Sequence, residues 1–172
     1  MKSDRTHESP TSSDWQRWLA EHAPKFLLFA RQQARSEADA QDLVQEAVLE
    51  SWQRQSDAAP PPLGLVFATI RRRAIDLARS ENRRARRESA ASDPPEVCWF
   101  DSGIEDRERS QLIQAAVQNL PDIYRDVISL KVWGELTFAE IAEALDIPAN
   151  TAASRYRYAL AELRKRTKEV LA

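Results

Sequence analysis

The scarcity of glycine is the strongest constraint on the fold of this chain. Only 3 of the 172 residues are glycine, whereas average usage would give about 12. Tight hairpin turns between strands depend on glycine at positions with positive φ, so a fold rich in sheet would lack the residues for its turns. With 42% hydrophobic and 30% charged residues, the composition is that of an ordinary globular protein. We therefore predict an all-α fold.

Cysteine and histidine are too few for the common metal and disulfide sites. Cys98 is the single cysteine and cannot form an intrachain disulfide, and His7 and His22 have no second cluster of ligand residues. We expect no metal and no cofactor. The longest uncharged stretch, residues 58–70, is shorter than the roughly 18 apolar residues of a membrane span, and the polar N-terminus lacks the apolar segment of a secretory signal. We expect a cytoplasmic protein with no membrane span.

Charge is segregated along the chain behind a formal net charge of −2. Residues 71–88 carry eight arginines against three acids, and residues 151–168 carry six basic side chains against one acid. Residues 89–108 are the reverse, with six acids against one arginine. A basic helix is often merely solvated, but blocks this dense favour a phosphate-binding face.

The N-terminal part is predicted to begin as disorder and to continue as helix. Residues 1–13 are rich in Ser, Thr and Pro, which favours disorder. Asp14 is the expected N-cap of a helical run over residues 15–35. Because Pro24 removes a backbone donor inside this run, we expect two helices rather than one.

Residues 38–54 have the clearest helical periodicity. Small and apolar side chains share one face, and acidic and amide side chains occupy the other. Leu49 lies in the middle of the acidic, solvent-facing surface. A single exposed leucine usually has no function, so a solvated face and a docking surface both remain open. The expected buried face comprises Ala40, Leu43, Val44, Ala47, Val48 and Ser51.

A proline-rich loop and a long basic helix follow. Three consecutive prolines within residues 55–63 cannot continue a helix. Residues 64–88 then read as one helix, with arginines that become denser toward its C-terminal end. The expected buried stripe comprises Leu65, Phe67 or Ala68, Ile70, Ala74, Leu77 and Ala78.

Residues 89–108 interrupt every periodicity and contain two adjacent prolines. We interpret them as an acidic linker that divides the chain into two small helical domains, at residues 14–88 and 109–172. The pair Trp99-Phe100 is unusual for a disordered segment and indicates that this part of the linker docks onto another surface. An inert tether is the alternative.

The C-terminal domain has the pattern of a helix-turn-helix. Thr137 and Glu140 form a capping box, and a short helix joined by a brief turn to a longer one is typical of this motif. Asp146 occupies the turn position where Gly is frequent, and aspartate tolerates left-handed backbone better than most residues. Helices are expected at residues 109–119, 122–133, 138–145 and 149–170.

The last helix combines an apolar side with a polar one. In a helix-turn-helix the second helix presents its N-terminal residues to base edges in the major groove, where Ser and Arg reach the acceptors. Charge, spacing and capping together favour duplex DNA over a helical bundle that uses the same turn for packing. The residues expected on the buried side are Ala153, Tyr156, Ala159, Leu160 and Leu163.

Several short motifs stand out in the two domains. They are Asp42-Leu43-Val44-Gln45-Glu46 with Leu49 and Trp52, Ala74-Ile75-Asp76 after Arg71, Leu120-Pro121, Phe138-Ala139-Glu140-Ile141-Ala142, and Thr151 with Ser154-Arg155. In this order they resemble the extracytoplasmic-function sigma factors of bacterial RNA polymerase, within the sigma-70 family. The resemblance covers residues 15–88 and 109–171.

The resemblance implies roles for segments already distinguished on physical grounds. Helix 38–54 would bind the clamp coiled coil of the largest subunit of core polymerase, and the polymerase flap and an anti-sigma factor are further candidate partners. The loop at 55–63 and the basic helix would melt and bind the −10 element, and the helix-turn-helix would read the −35 element as duplex promoter DNA. The implied polymerase contacts are Asp39, Asp42, Gln45, Glu46 and Leu49, and the implied −10 contacts are Arg71, Arg72, Asp76, Arg79 and Arg83. The implied −35 contacts are Asn150, Thr151, Ser154, Arg155, Arg157, Tyr158 and Lys165.

The chain departs from the family pattern at several positions, so the promoter sequence does not carry over. Arg72 stands where Asn is common, Arg73 where an apolar residue is common, and Tyr158 where Arg is frequent. The predicted function is a non-enzymatic promoter-specificity subunit. One alternative is a helix-turn-helix regulator that binds duplex DNA without joining polymerase. The other, a nucleic-acid-processing enzyme, is disfavoured because no cluster of catalytic side chains accompanies the basic helices.

Overall fold

Helices form nearly all of the described structure, a computed structural model that covers residues 12–55, 59–88, 97–100 and 107–171. Within these ranges there are seven helices and no strand, which confirms the all-α prediction. None of these helices is long and apolar enough to cross a bilayer. The helices are α1 (Ser12–Gln33), α2 (Glu37–Gln53), α3 (Leu63–Glu88), α4 (Arg107–Gln118), α5 (Asp122–Val132), α6 (Phe138–Leu145) and α7 (Ala149–Leu171).

Helix α1 is continuous, so the predicted break at Pro24 is wrong. A proline inside a helix removes one hydrogen bond and costs about 3 kcal/mol, but aromatic packing on both sides of it offsets this cost. Trp18 before the proline lies 5.7 Å from Phe26 after it, between ring centroids. The helix also begins at Ser12, so Asp14 is not its N-cap and lies instead in the first turn, where a carboxylate complements the helix dipole.

The N-terminal half (α1–α3) is built around Phe67 of α3. Its ring packs edge-on against Phe26 and Phe29 of α1, with centroid distances of 5.0 and 5.5 Å. Helix α2 covers the other side of this core with the face predicted from its periodicity, because Ala40, Leu43, Ala47 and Ser51 are buried and Val44 and Val48 are half-buried.

Helix α3 buries more of its surface than the sequence predicted. Phe67, Ile70 and Ala74 are buried as expected, but Val66 and Thr69 are also buried and were not in the predicted stripe. Thr69 faces α2, where its hydroxyl accepts from Ser51 Oγ at 3.3 Å, and α3 packs against α6 of the C-terminal half (α4–α7) in addition to α1 and α2. One hydrophobic cluster therefore spans both halves, and its members in the C-terminal half are Val127, Leu130, Leu136, Ile141, Ala144, Leu145 and Ala152.

The linker residues Val97 to Phe100 dock onto the C-terminal half. Trp99 is buried in a second cluster with Val117, Leu120, Ile128 and Ala159. The side chain of Gln114 holds the linker backbone through two hydrogen bonds. Its Oε1 accepts from Trp99 N at 3.0 Å, and its Nε2 donates to the Val97 carbonyl at 2.9 Å. Residues 97–100 are thus docked onto the C-terminal half of the same chain. The remainder of the predicted linker up to residue 106, and residues 1–11 of the predicted disordered segment, lie outside the described residues.

Phe67 offers a direct test of the core. Replacing Phe67 with Ala should lower the free energy of unfolding by about 3–5 kcal/mol, because a fully buried ring is lost and a cavity remains. Urea denaturation followed by circular dichroism measures the change. The matched control is Leu112→Ala, at a side chain that is 55% exposed, with an expected change within about 0.5 kcal/mol. Equal losses in the two variants would contradict a core centred on α3.

Candidate nucleic-acid and polymerase interfaces

A capping box starts the helix-turn-helix. Thr137 Oγ1 accepts from Glu140 N at 3.2 Å, and Glu140 Oε2 accepts from Thr137 N at 2.7 Å. The side-chain and backbone hydrogen bonds from Thr137 lower the pKa of the Glu140 carboxyl. Asp146 ends α6 in the left-handed conformation, with φ 54° and ψ 53°, as predicted for this turn position. The geometry of the motif is therefore specified by local chemistry at both ends of α6.

The turn before this motif depends on close backbone approach. A Cβ on Gly134 would lie 2.6 Å from the carbonyl oxygen of Leu130, so only glycine fits there. Glu135 follows with φ 58°, and Lys131 donates to the Leu136 carbonyl at 2.9 Å. These contacts fix the direction in which α6 leaves α5.

Helix α7 presents most of its predicted −35 residues to solvent. Asn150, Ser154, Arg157, Tyr158 and Lys165 are exposed, whereas Thr151 and Arg155 are half-buried. The side of α7 that was predicted to be buried does face the protein. Ala159 is fully buried, and the other predicted members are half-buried: Ala153, Tyr156, Leu160 and Leu163. Ala152 is also fully buried, because α7 packs against α6 as well as α5.

Two aromatic contacts fix the middle of α7. The rings of Tyr158 and Tyr124 stack at a centroid distance of 4.7 Å with an interplanar angle of 26°. Tyr156 packs edge-on against Phe138 at 5.7 Å. Tyr124 was not among the predicted site residues, and it supports the side chain of a predicted reader.

An apolar groove runs between α1 and α2, on the side of α2 where Leu49 is exposed. Leu49 is 52% and Trp52 is 46% exposed, and the Trp52 ring packs edge-on against Trp15 at 6.0 Å. The groove encloses about 580 Å³. Its lining residues are Trp15, Leu19, Ala23, Val44, Gln45, Val48, Leu49 and Trp52. The α1 side of this groove was missed, although the apolar residues near the start of α1 were a signal in the sequence.

The acidic residues of α2 divide into two groups. Asp42, Gln45 and Glu46 are exposed. Asp39 takes part in the N-cap of α2, because its carboxylate accepts from the Ser36 hydroxyl at 2.6 Å and its N–H donates to the same oxygen at 3.1 Å. Of the predicted polymerase contacts, Asp39 therefore has a local structural role.

Arginines at the start of the basic run pair with α2 instead of lying free along α3. Arg73 Nε donates to Glu50 Oε2 at 2.8 Å, and Arg73 also pairs with Glu46. Arg72 pairs with Glu50. Burial raises the pKa of the Glu50 carboxyl, but the hydrogen bonds and charges of Arg73 and Arg72 outweigh this effect and lower it.

The remaining predicted −10 residues occupy different environments along α3. Arg71 Nε donates to Asp126 Oδ2 of α5 at 2.9 Å. Arg79 is 74% exposed at its side chain and lies 3.9 Å from the exposed Asp76, and Arg83 is also exposed. Within this predicted set, Arg79 and Arg83 therefore lie open toward the end of α3 where the sequence is densest in arginine, whereas Arg71 is engaged by Asp126, a partner that the sequence did not reveal.

Comparison with known families matches both halves. A model of Sigma-70 region 2 matches residues 18–84, and a model of Sigma-70, region 4 matches residues 110–163. The ECF RNA polymerase sigma factor SigK of Mycobacterium ulcerans (strain Agy99) is 34% identical over 131 residues, which is 72% of this chain and 70% of that protein. The chain belongs to the ECF sigma factors of the sigma-70 family. SigK of Mycobacterium tuberculosis (strain ATCC 25177 / H37Ra) is 33% identical over the same shares of the two chains.

Two solved structures share the fold of this sigma factor. RpoE of Bartonella quintana, in complex with the anti-sigma factor NepR, has a TM-score of 0.69 and 18% identity, and the match covers 91% of this chain and 98% of that one. CnrH in complex with the cytosolic domain of CnrY has a TM-score of 0.63 and 18% identity, with coverage of 92% and 90%.

The capping box makes the stability of this sigma factor sensitive to acid. The Glu140 carboxylate contributes stability above its ordinary pKa of 4.5, and this contribution is lost as pH falls through the lowered pKa of the folded state. Thr137→Val should return the pKa of Glu140 toward its ordinary value and reduce the free energy of unfolding at pH 7 by about 1 kcal/mol.

NMR titration of Glu140, with denaturation measured from neutral to acid pH, tests this expectation. The control is Glu143→Gln, an exposed carboxyl on the same helix, for which a change within about 0.5 kcal/mol is expected. An unchanged Glu140 titration in Thr137→Val would refute the coupling between the two side chains.

Proposed function

We propose that this sigma factor binds core RNA polymerase through the ridge of α2 and the apolar groove beside it. The ridge carries Asp42, Gln45 and Leu49, all exposed, and Trp52 extends its apolar part. Large exposed apolar side chains rimmed by polar ones are typical of protein interfaces. The proposed partner is the clamp coiled coil of the largest polymerase subunit, because a helix is the kind of partner that an apolar groove accepts.

We propose that the two halves divide promoter recognition. The N-terminal residues of α7 read the −35 element in the major groove, with Arg157, Ser154 and Asn150 exposed for this role. The exposed Arg79 and Arg83 of α3 bind the phosphates of the single-stranded −10 element, and Arg71 and Arg72 join them from the end of α3 nearer the loop. Asp76 can only accept hydrogen bonds, so it contacts an amino group of a base instead of a phosphate. Base flipping requires a pocket, which the proline-rich loop before α3 would supply.

The wider assignment follows from the family. The protein acts without catalytic residues or cofactor, as a cytoplasmic subunit of the transcribing enzyme. The polymerase flap is the partner proposed for the C-terminal half, and an anti-sigma factor is proposed as a regulator, since both solved neighbours are complexes with a second protein. A regulator that binds DNA without joining polymerase is disfavoured. Residues 18–84 match Sigma-70 region 2, and binding of duplex DNA by the helix-turn-helix alone would not require that region.

The observation that carries this proposal is the exposed leucine on α2 beside an apolar groove, in a chain that also matches Sigma-70 region 4. The decisive experiment is run-off transcription with core polymerase and this protein, followed by mapping of the start sites. Transcription that does not depend on the added protein would reject the proposal.

The polymerase interface is tested by Leu49→Lys. A charged side chain in a desolvated contact should weaken core binding by at least about 100-fold, while the fold is kept because the position faces water in the free protein. Titration of labelled protein with core polymerase measures the affinity. Val132→Lys is the control, at a side chain of similar exposure, 47%, at the end of α5. Equal affinity of Leu49→Lys and the parent would remove the ridge from the interface.

The variants Arg157→Ala and Lys165→Ala distinguish side chains of α7 that contact bases from side chains that contact phosphates. Arg157 lies near the helix start and should contact a base edge, so its loss costs about 1–3 kcal/mol at one position and relaxes specificity there. Lys165 lies about two turns further on and should contact phosphate, so its loss weakens all sequences about equally. Selection from a randomised −35 library distinguishes them. A consensus altered by Lys165→Ala but not by Arg157→Ala would reverse the assignment.

A further inference from the structure

Tyr158 of α7 is an exposed aromatic side chain whose ring is nevertheless held in place. It is 56% exposed, and its ring stacks on the ring of Tyr124 of α5 at a centroid distance of 4.7 Å and an interplanar angle of 26°. Stacking of this kind is one of the arrangements that aromatic pairs prefer. Within the part of the chain that the structure describes, no other ring contact holds Tyr158. The orientation of its ring therefore depends on Tyr124.

The supporting ring is itself anchored in the core of the C-terminal half. Tyr124 is half-buried and packs against the second cluster, which includes Leu120 and Ile128. Its backbone N–H donates to the Pro121 carbonyl at 2.9 Å, so the Leu120-Pro121 motif fixes the first turn of α5, which carries Tyr124. Because one ring is fixed and the other is exposed, the stack extends the order of the core to a side chain at the surface.

Tyr158 lies on the face of α7 that the proposed function places in the major groove. Asn150, Ser154 and Tyr158 follow each other at intervals of four residues, so they share one face of the helix. All three are exposed. Side chains on a helix lean toward its N-terminus, so Tyr158 covers surface that is nearer than its own Cα to the N-terminal end of α7. A long side chain at this position can therefore reach the groove beside Ser154.

We propose that Tyr124 is a positioning residue for −35 recognition, because it orients Tyr158 so that the Tyr158 hydroxyl contacts one base edge in the major groove. The inference rests on the proposed function, which places α7 in that groove. A hydroxyl both donates and accepts hydrogen bonds, so the direction of the ring determines which base edge it meets. A side chain that is ordered before binding also loses less conformational freedom in the complex.

The other aromatic contact of α7 shows how a stack that serves only packing differs. Tyr156 packs edge-on against Phe138 at 5.7 Å, and both side chains are half-buried. Aromatic rings stabilise a fold mainly through the area that they bury. Tyr158 leaves more than half of its surface in solvent, so its stack on Tyr124 orients a side chain more than it buries one.

The chemistry of Tyr158 favours a base edge over a phosphate. Attraction to phosphates comes from charged side chains that release counterions, and α7 supplies the exposed Arg164 and Lys165 for this role. A neutral phenol adds nothing to that attraction. Its directional hydroxyl is suited to discriminate between bases, whose edges differ in their donors and acceptors.

Three substitutions in the stacked pair separate the hydroxyl from the ring. Tyr158→Phe removes the hydroxyl, so the preference at the −35 position that it reads should fall by about fivefold, the lower end expected for one base contact. Tyr124→Leu keeps an apolar side chain in the cluster but removes the stacking ring, so it should relax the preference at the same position. Tyr124→Phe keeps the ring and should keep the preference.

The matched control is Tyr156→Leu, which removes an aromatic contact from the buried side of the same helix. It should lower the Tm, as Tyr124→Leu does, and leave the preference at every −35 position unchanged. Thermal unfolding followed by circular dichroism verifies that each variant is folded at the temperature of the selection.

The measurement is selection from a randomised −35 library by the full-length protein with core polymerase, followed by sequencing. The expected result is a relaxed preference at one shared position in Tyr158→Phe and Tyr124→Leu, with no further relaxation in the double variant, because the two side chains act through one contact.

A preference that Tyr124→Leu retains, or that Tyr156→Leu relaxes to the same extent, overturns the positioning role while the proposed function stands. A loss of affinity in Tyr158→Phe that is equal for all sequences assigns the hydroxyl to a phosphate and overturns the base contact. A parent protein that selects no −35 sequence overturns the proposed function, and the inference with it.

Discussion

The packing of α3 on three other helices is the constraint on which the rest of the structure depends. Phe67 is buried against the two phenylalanines of α1, and the same helix contacts α2 and α6. A helix enclosed in this way has little surface left for binding until it extends beyond its neighbours. The exposed arginines 79 and 83 accordingly lie in its second half. The core of the N-terminal half and its proposed DNA-binding surface are successive parts of one helix.

Features that depend on near neighbours could be predicted from the sequence. The buried face of α2 repeats at helical spacing within one element, and the capping box at Thr137 and the left-handed Asp146 involve residues within about one turn of each other, so periodicity and cap chemistry were sufficient. Pro24 was misjudged because a local rule was outweighed by aromatic packing across it. Val66 and Thr69 were missed because the predicted stripe allowed α3 one buried face, whereas α3 packs against three helices.

The candidate site was predicted less completely than the fold, for an electrostatic reason. Counting charge in a block treats every arginine as available, but a guanidinium with a carboxylate partner contributes little to the field felt by DNA. Arg72 and Arg73 are matched by Glu50 and Glu46 on α2, and Arg71 by Asp126, which is 55 positions away in the chain. The acidic surface of α2 and the basic surface of α3 were each recognised in the sequence, and their mutual neutralisation was not.

The docked linker residues 97–100 are packed mainly against the C-terminal half and only secondarily against the N-terminal half. Trp99 is buried among side chains of the C-terminal half, and Gln114 of α4 holds its backbone through two hydrogen bonds. Arg31 provides the one hydrogen bond described from Trp99 to the N-terminal half. Residues 97–100 are therefore held more firmly to α4–α7 than to α1, because apolar burial and two hydrogen bonds outweigh a single hydrogen bond. The tryptophan therefore extends the core of the C-terminal half from a segment that precedes all of the helices of that half in sequence.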